Sequence, residues 1–319
     1  MEPGPPTGPR PPIVIVGPTA VGKSAVALEL ARLDPSIELI SADSMQVYRG
    51  MDIGTAKPTL AEQAEVRHHV IDIVDPCDDF GLAHFQEAAV AARAAIEERN
   101  GWPVIVGGTG LYVQAVVDDL DLPGQFPEVR TALDAEPDET KLYDRLQALD
   151  PLAASRMERT NRRRITRALE VTLGSGKPFS SFGPGMTAYP ATEFRLYGVD
   201  RERPVIDARI AERYEAQMAA GFLDEVRGLL TADRPLSVTA AQALGYKELI
   251  VHLRGDASVE DALALANQRT RRFARRQQRW FRRDPRITWL DGAENSGALA
   301  ARVLADLPVT NPEHSQRQQ

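Results

Sequence analysis

Apolar positions follow two rhythms along this chain. Short runs with apolar centres occur at 13–16 (IVIV), 38–41 (ELIS), 68–73 (HHVIDI) and 103–108 (PVIVGG). Between them, 24–33 and the alanine-rich 84–98 repeat their apolar residues at helical spacing. Brief runs rich in Val and Ile read as strands buried on both faces, and the longer periodic stretches read as helices laid over them. Strands alternating with helices predict an α/β fold with a parallel sheet, whose ligands gather at the carboxyl ends of the strands. Residues 17–24, Asp43 and the "GGTGLY" turn all fall at such ends.

After about residue 117 the strand rhythm stops. Helical patterns near 127–135, 139–149 and 161–173 follow a loop "DDLDLPGQFP", and the next strand pattern is "RLYGVD" at 195–200. Residues 120–194 are therefore expected to be an all-helical insertion domain, contained in a core of 13–119 and 195–308 that ends in helices and a last strand at 287–290. The turn-rich "GSGKPFSSFGPGMTAYP" is expected to be mobile, and 1–12 and 309–319 to be disordered tails.

"GPTAVGKS" fits the phosphate-loop pattern G-x-x-x-x-G-K-[ST], in the strand–loop–helix setting that gives the pattern its meaning. Gly17, Pro18, Thr19, Ala20, Val21 and Gly22 would turn backbone N–H groups toward an anion at the positive end of the following helix. Lys23 would pair with the terminal phosphate, and the Ser24 hydroxyl would hold Mg2+. The expected fold class is thus P-loop NTPase-like. The loop alone says only that a polyphosphate binds. "DLPG" at 121–124 has the D-x-x-G form of a GTPase but no guanine motif follows, so it reads as a loop. In a kinase, Asp43 would be the natural catalytic aspartate.

Composition narrows the setting. The single cysteine, Cys77, excludes an internal disulfide, and no apolar run approaches a membrane span. A cytoplasmic monomer is expected. The net charge of −7 argues against a nucleic-acid partner, but it is an average. Residues 154–167 carry six arginines against one glutamate, and 269–283 carry eight arginines and no acid. On a helix, Phe273, Ala274, Gln277, Trp280 and Phe281 share one side, leaving arginines on the remaining arc to meet backbone phosphates. His68 and His69 are adjacent, so in a strand they face opposite ways and read as structural.

"GPTAVGKS", "ISADSMQVYRGMDIGTAKP" (40–58), "VGGTGLYVQAV" (106–116), "RRRITRALEV" (162–171), "AQALGYKE" (241–248) and "RRFARRQQRWFRR" (271–283) together resemble the tRNA dimethylallyltransferases, in that family's order. The resemblance implies transfer of a dimethylallyl group from dimethylallyl diphosphate to the exocyclic amine of the adenosine 3′ of the tRNA anticodon. Diphosphate would leave, so the loop would cradle a leaving group. By the same resemblance Asp43 is the base, Thr19 meets the bridging oxygen, and Arg213 is a second diphosphate clamp, with Arg209 one turn away. The family pattern places Ser44, Met45 and Gln46 beside Asp43 near the flipped base. It places Thr109, Arg130, Arg164, Arg167, Gln242, Gly245, Tyr246 and Lys247 toward the anticodon stem-loop, together with Arg271, Arg275, Arg276 and Arg279 of the basic helix. Val21 stands where many members of the family carry a smaller residue, and is expected to contribute only backbone. An adenylate isopentenyltransferase acting on AMP, or an unrelated P-loop kinase, would share the loop and the aspartate but have little use for the helical insertion or the arginine helix.

Overall fold

The computed structural model describes residues 10–183 and 185–307. Six strands, β1 (Ile13–Val16), β2 (Ile37–Ser41), β3 (His68–His69), β4 (Trp102–Gly107), β5 (Arg195–Asp200) and β6 (Thr288–Asp291), form one sheet in the order β3-β2-β4-β1-β5-β6. Every pairing is parallel, with Ile13 of β1 in register with Val104 and Arg195. All four β1 residues are buried, as a central strand covered on both faces requires. The helix Lys23–Leu33 seats Val26, Ala27, Leu30 and Ala31 in the same core. From β1 the chain steps over the place of β4 to reach β2, while β5 lies on the other side of β1. The crevice where the order reverses opens at the carboxyl end of β1, on residues 17–24.

The sequence places a longer third strand than the one that forms. Val70 and Asp72 have φ of 61° and 54°, in the left-handed region, so the run 68–73 leaves the sheet after two residues. Its backbone pairs instead with the 46–48 loop, through Asp72 N–H to Gln46 O and Ile73 N–H to Val47 O. At the amino terminus, 10–12 are ordered, against the disorder expected for 1–12. Arg10 pairs with Asp34, Trp102 Nε1 donates to the Pro11 carbonyl, and Arg195 N–H donates to that of Pro12. Residues 1–9 and 309–319 lie outside the described residues.

The chain divides into two compact units, one formed by Asp119–Pro190 and the other by the segments on either side. The smaller unit holds helices Pro127–Asp134, Glu139–Leu149, Pro151–Ser155 and Arg162–Ser175 around its own core of Leu133, Leu142, Leu146, Ile165, Ala168 and Leu169. The starts of the last three are fixed by side-chain caps. Asp138 accepts from Thr140 N–H and Lys141 N–H, Asp150 from Ala153 N–H, and Asn161 from Arg164 N–H. Part of the turn-rich segment is tied down, because Asp150 also accepts from both the backbone N–H and the hydroxyl of Ser180. In the larger unit, the two chain ends that lead into this insertion are joined where Thr192 Oγ1 donates to the Val117 carbonyl at 3.2 Å.

Candidate active site

One pocket at the carboxyl ends of β1, β2 and β4 is lined by Thr19, Lys23, Ser24, Asp43, Gln46, Arg209 and Arg213, among others. Its floor is the phosphate loop, where Gly17, Ala20 and Gly22 all take positive φ. Gly17 has no alternative residue. A Cβ there would lie 2.3 Å from the Val199 carbonyl oxygen of β5. Val21 differs from expectation: its side chain is buried in the core, and its carbonyl accepts from Arg201 Nε at 3.0 Å.

Lys23 Nζ reaches back to the Pro18 carbonyl at 2.7 Å, which curls the loop around the ammonium. Burial lowers the Lys23 pKa to about 8, against the opposing pull of Asp43 and with a smaller push from Arg213. Burial likewise holds Arg213 below the ordinary guanidinium value, opposed by Tyr214 and Asp43. Arg213 Nη1 donates to Thr19 Oγ1 at 3.0 Å, and Arg213 Nε is buried without a protein partner. Ser24 lies exposed at the first turn of the helix, on the pocket wall.

Asp43 stands just beyond β2, its Oδ1 accepting from Met45 N–H at 2.9 Å. Ser44 N–H donates to Thr109 Oγ1 at 3.3 Å, which ties the Asp43 turn to the turn after β4. Gln46 is oriented from three sides: it accepts from Ser41 Oγ at 2.8 Å and donates to the Thr55 and Ala56 carbonyls. Those carbonyls belong to a loop held by residues that sequence reasoning passed over. Lys57, buried, donates to Asp52, Asp72 and the Tyr48 carbonyl. The Glu225 carboxylate accepts from Asp52, Ile53 and Gly54 N–H, and Gln217 Nε2 donates to the Ile53 and Gly54 carbonyls. The "GMDIGTAKP" block carried this signal, since Gly54 leaves no room for a Cβ, which would meet Phe222 at 2.2 Å.

The residues expected to touch RNA divide by exposure. Tyr246 is fully buried and donates its hydroxyl to Glu225, so it supports the 52–54 loop and offers no surface to a partner. Gly245 takes φ +87° at the start of that helix, and its N–H is received by Glu248. Gln242 is exposed and accepts from Lys247 Nζ. Thr109 and Met45 are half-buried. In the insertion, Arg164 is exposed, whereas Arg167 donates to Glu170 and to the Pro123 and Gly124 carbonyls, and Arg130 pairs with Asp134. Those two guanidiniums brace the insertion itself.

The helix Val259–Phe281 places Ala274, Gln277 and Phe281 in the core, as its spacing predicts, while Phe273 and Trp280 are half-buried. Arg272, Arg275, Arg276 and Arg279 are exposed on the other arc, and none of the four has a carboxylate partner among the described residues. Arg271 departs from that row. Its Nε is buried, and its carbonyl accepts from Arg203. His68 and His69 are engaged as structural groups, with His68 Nδ1 at 2.7 Å from the Val66 carbonyl and His69 Nε2 at 2.6 Å from Glu38.

The IPP transferase family profile matches residues 46–284, and the isopentenyl transferase profile matches 13–74. A tRNA dimethylallyltransferase of Bifidobacterium longum subsp. infantis is 46% identical over 308 residues, covering 92% of each chain. One from Roseiflexus castenholzii is 47% identical over 283 residues, covering 87% of this chain and 92% of its own. Among solved structures, the full-length tRNA isopentenylpyrophosphate transferase from Bacillus halodurans is 36% identical. It aligns with a TM-score of 0.66 over 92% of this chain and 94% of its own. A eukaryotic dimethylallyltransferase acting on tRNA, 24% identical, shares the fold with a TM-score of 0.77.

Proposed function

We propose that this chain, which belongs to the tRNA dimethylallyltransferase family, moves a dimethylallyl group from dimethylallyl diphosphate onto the exocyclic amine of the adenosine 3′ of a tRNA anticodon. The observation that supports this reading best is one pocket that brings a cationic phosphate cradle, Lys23, Arg213 and the loop amides, together with the Asp43 carboxylate at the end of β2. The new bond joins the amine nitrogen to the allylic carbon. The carbon–oxygen bond to diphosphate breaks, its electron pair leaving with the oxygen, and the amine proton passes to Asp43. An adenine amine is a weak nucleophile, so the rate depends on that proton acceptor and on donors already aimed at the leaving group.

Thr19 suits the second task. Its hydroxyl oxygen already accepts from Arg213, so its own hydrogen is left to donate to the departing oxygen. Lys23, the loop amides and Arg213 meet charge that grows as the bond breaks, and so act on the transition state more than on the ground state. Oδ1 of Asp43 accepts from Met45 N–H, and the carboxylate keeps further lone pairs to receive the amine proton.

The donor set suits Mg2+. Ser24 offers a hard oxygen ligand beside the phosphate site, and no group of three or more His, Cys, Asp or Glu builds a full protein cage among the described residues. That is the usual state of a magnesium ion shared between one protein oxygen, substrate phosphates and water. When bound, the ion would offset negative charge on the diphosphate. A monomer is proposed as the working form. Among the described residues no helix is long and apolar enough to cross a membrane, and a tRNA substrate puts the enzyme in the cytoplasm.

Incubation with labelled dimethylallyl diphosphate and tRNA, AMP or ATP tests the assignment. Label is expected in tRNA, with no ATP turnover. Label in AMP, or phosphate released from ATP, overturns it.

A further inference from the structure

The arginine helix reaches the phosphate loop through one side chain. Gln277, nearly buried, accepts from Thr19 N–H through Oε1 at 2.9 Å and donates through Nε2 to the Gly108 carbonyl at 2.8 Å. It therefore bridges the loop after β1 and the turn after β4, from a helix whose opposite arc carries Arg275, Arg276 and Arg279. The fit leaves no slack. A Cβ on Gly108 would lie 2.3 Å from Gln277 Nε2, and one on Gly110 would lie 2.2 Å from Trp280, one turn further along the same helix. Gly108 and Gly110 of "GGTG" are thus the imprint of this helix on the turn. Thr19 is consequently gripped at both ends, its amide by Gln277 and its hydroxyl by Arg213.

Resting on the reading of the pocket given above, we propose that Gln277 is a positioning residue that couples the two substrates: RNA on the arginine arc and diphosphate in the loop strengthen each other's binding through it. The physical basis is shared ordering. RNA phosphates that hold the helix still also hold Gln277, and through it the Thr19 backbone, in the shape the anion needs, so the second ligand meets a loop already ordered. Linkage makes the effect reciprocal: the factor by which RNA tightens diphosphate is the factor by which diphosphate tightens RNA.

The test uses the full chain, inorganic pyrophosphate with Mg2+ as the anion, and an anticodon stem-loop RNA. In the unaltered protein, saturating RNA is expected to tighten pyrophosphate at least about five-fold, and pyrophosphate to tighten RNA by the same factor. In Gln277→Met, which keeps the side-chain length and removes both hydrogen bonds, the factor falls to about one. RNA affinity measured without pyrophosphate then stays within about two-fold, since the arginine arc is untouched. Gly108→Ala, which dislodges Gln277 from the other side, should lose the coupling as well and serves if Gln277→Met does not fold. A factor of one in the unaltered protein, or a factor that survives in either folded variant, overturns the proposal. Transfer of label to tRNA by the unaltered protein is scored separately, so an enzyme that prenylates without coupling refutes Gln277's role alone. One that never prenylates refutes the underlying reading.

Discussion

At Asp43 a carboxylate on the wall of the phosphate pocket has one oxygen that accepts from the backbone. Asp43→Ala is expected to lower single-turnover transfer by about two orders of magnitude or more, the ordinary cost of a lost general base, while tRNA affinity in a filter-binding assay changes little. Loss of both in parallel would make Asp43 a recognition residue. Lys23 gives a pH signature. With its pKa lowered to about 8 by burial in the free protein, and an anion favouring the charged form, pyrophosphate affinity should be full below that pH. It should then decline as pH rises through it. Pyrophosphate titrates too, so the control is Lys23→Arg, which stays charged and should remove the protein's part of the decline. The loop, Lys23, Ser24 and Asp43 were legible in sequence because each belongs to a short contiguous pattern. Gln277, Lys57 and Glu225 were not, because each role rests on at least one partner distant in sequence, 15 positions away for Lys57, 173 for Glu225 and 258 for Gln277. A pattern of apolar spacing marks Gln277 only as inward-facing.

At the scale of elements, the arginine helix should dominate the salt dependence of RNA binding. Raising salt from about 50 to about 200 mM should weaken tRNA affinity steeply, and neutralising Arg275, Arg276 or Arg279 should each reduce the log–log slope by about one. A slope unchanged in all three variants would leave that face without a role in RNA binding. The 52–57 loop makes a stability prediction instead. Glu225→Ala strands three backbone N–H groups and the Tyr246 hydroxyl, at a cost of about 1–3 kcal/mol, visible as a melting midpoint lowered by several degrees. Tyr246 explains why its sequence block misled. The motif suggests a contact with RNA, yet the Tyr246 ring lies beneath the loop that orients Gln46. Strands read well where β-branched residues ran unbroken, as in β1 and β4. The reading failed at 68–73, where apolar alternation continued although Val70 and Asp72 turn left-handed, a property that hydropathy does not record.

For the whole molecule, the change from strand to helix rhythm near 117 and its return at 195 were visible because each unit builds a separate apolar core. The phosphate cradle and Asp43 draw on the larger unit alone. Replacing 120–190 by a short glycine–serine link should therefore leave a single cooperative melt and pyrophosphate binding intact, while transfer to tRNA is lost. A chain that no longer binds pyrophosphate would show that the catalytic half depends on the helical one for its shape. The 3.2 Å bond between Thr192 and Val117 is what makes such surgery feasible, for it staples the neck of the excursion shut. A lobe hung from a closed neck is a cartridge. Its length and charge can be altered with the register of the strands beneath left in place, because the closed neck, and not the lobe, sets where the two chain ends meet.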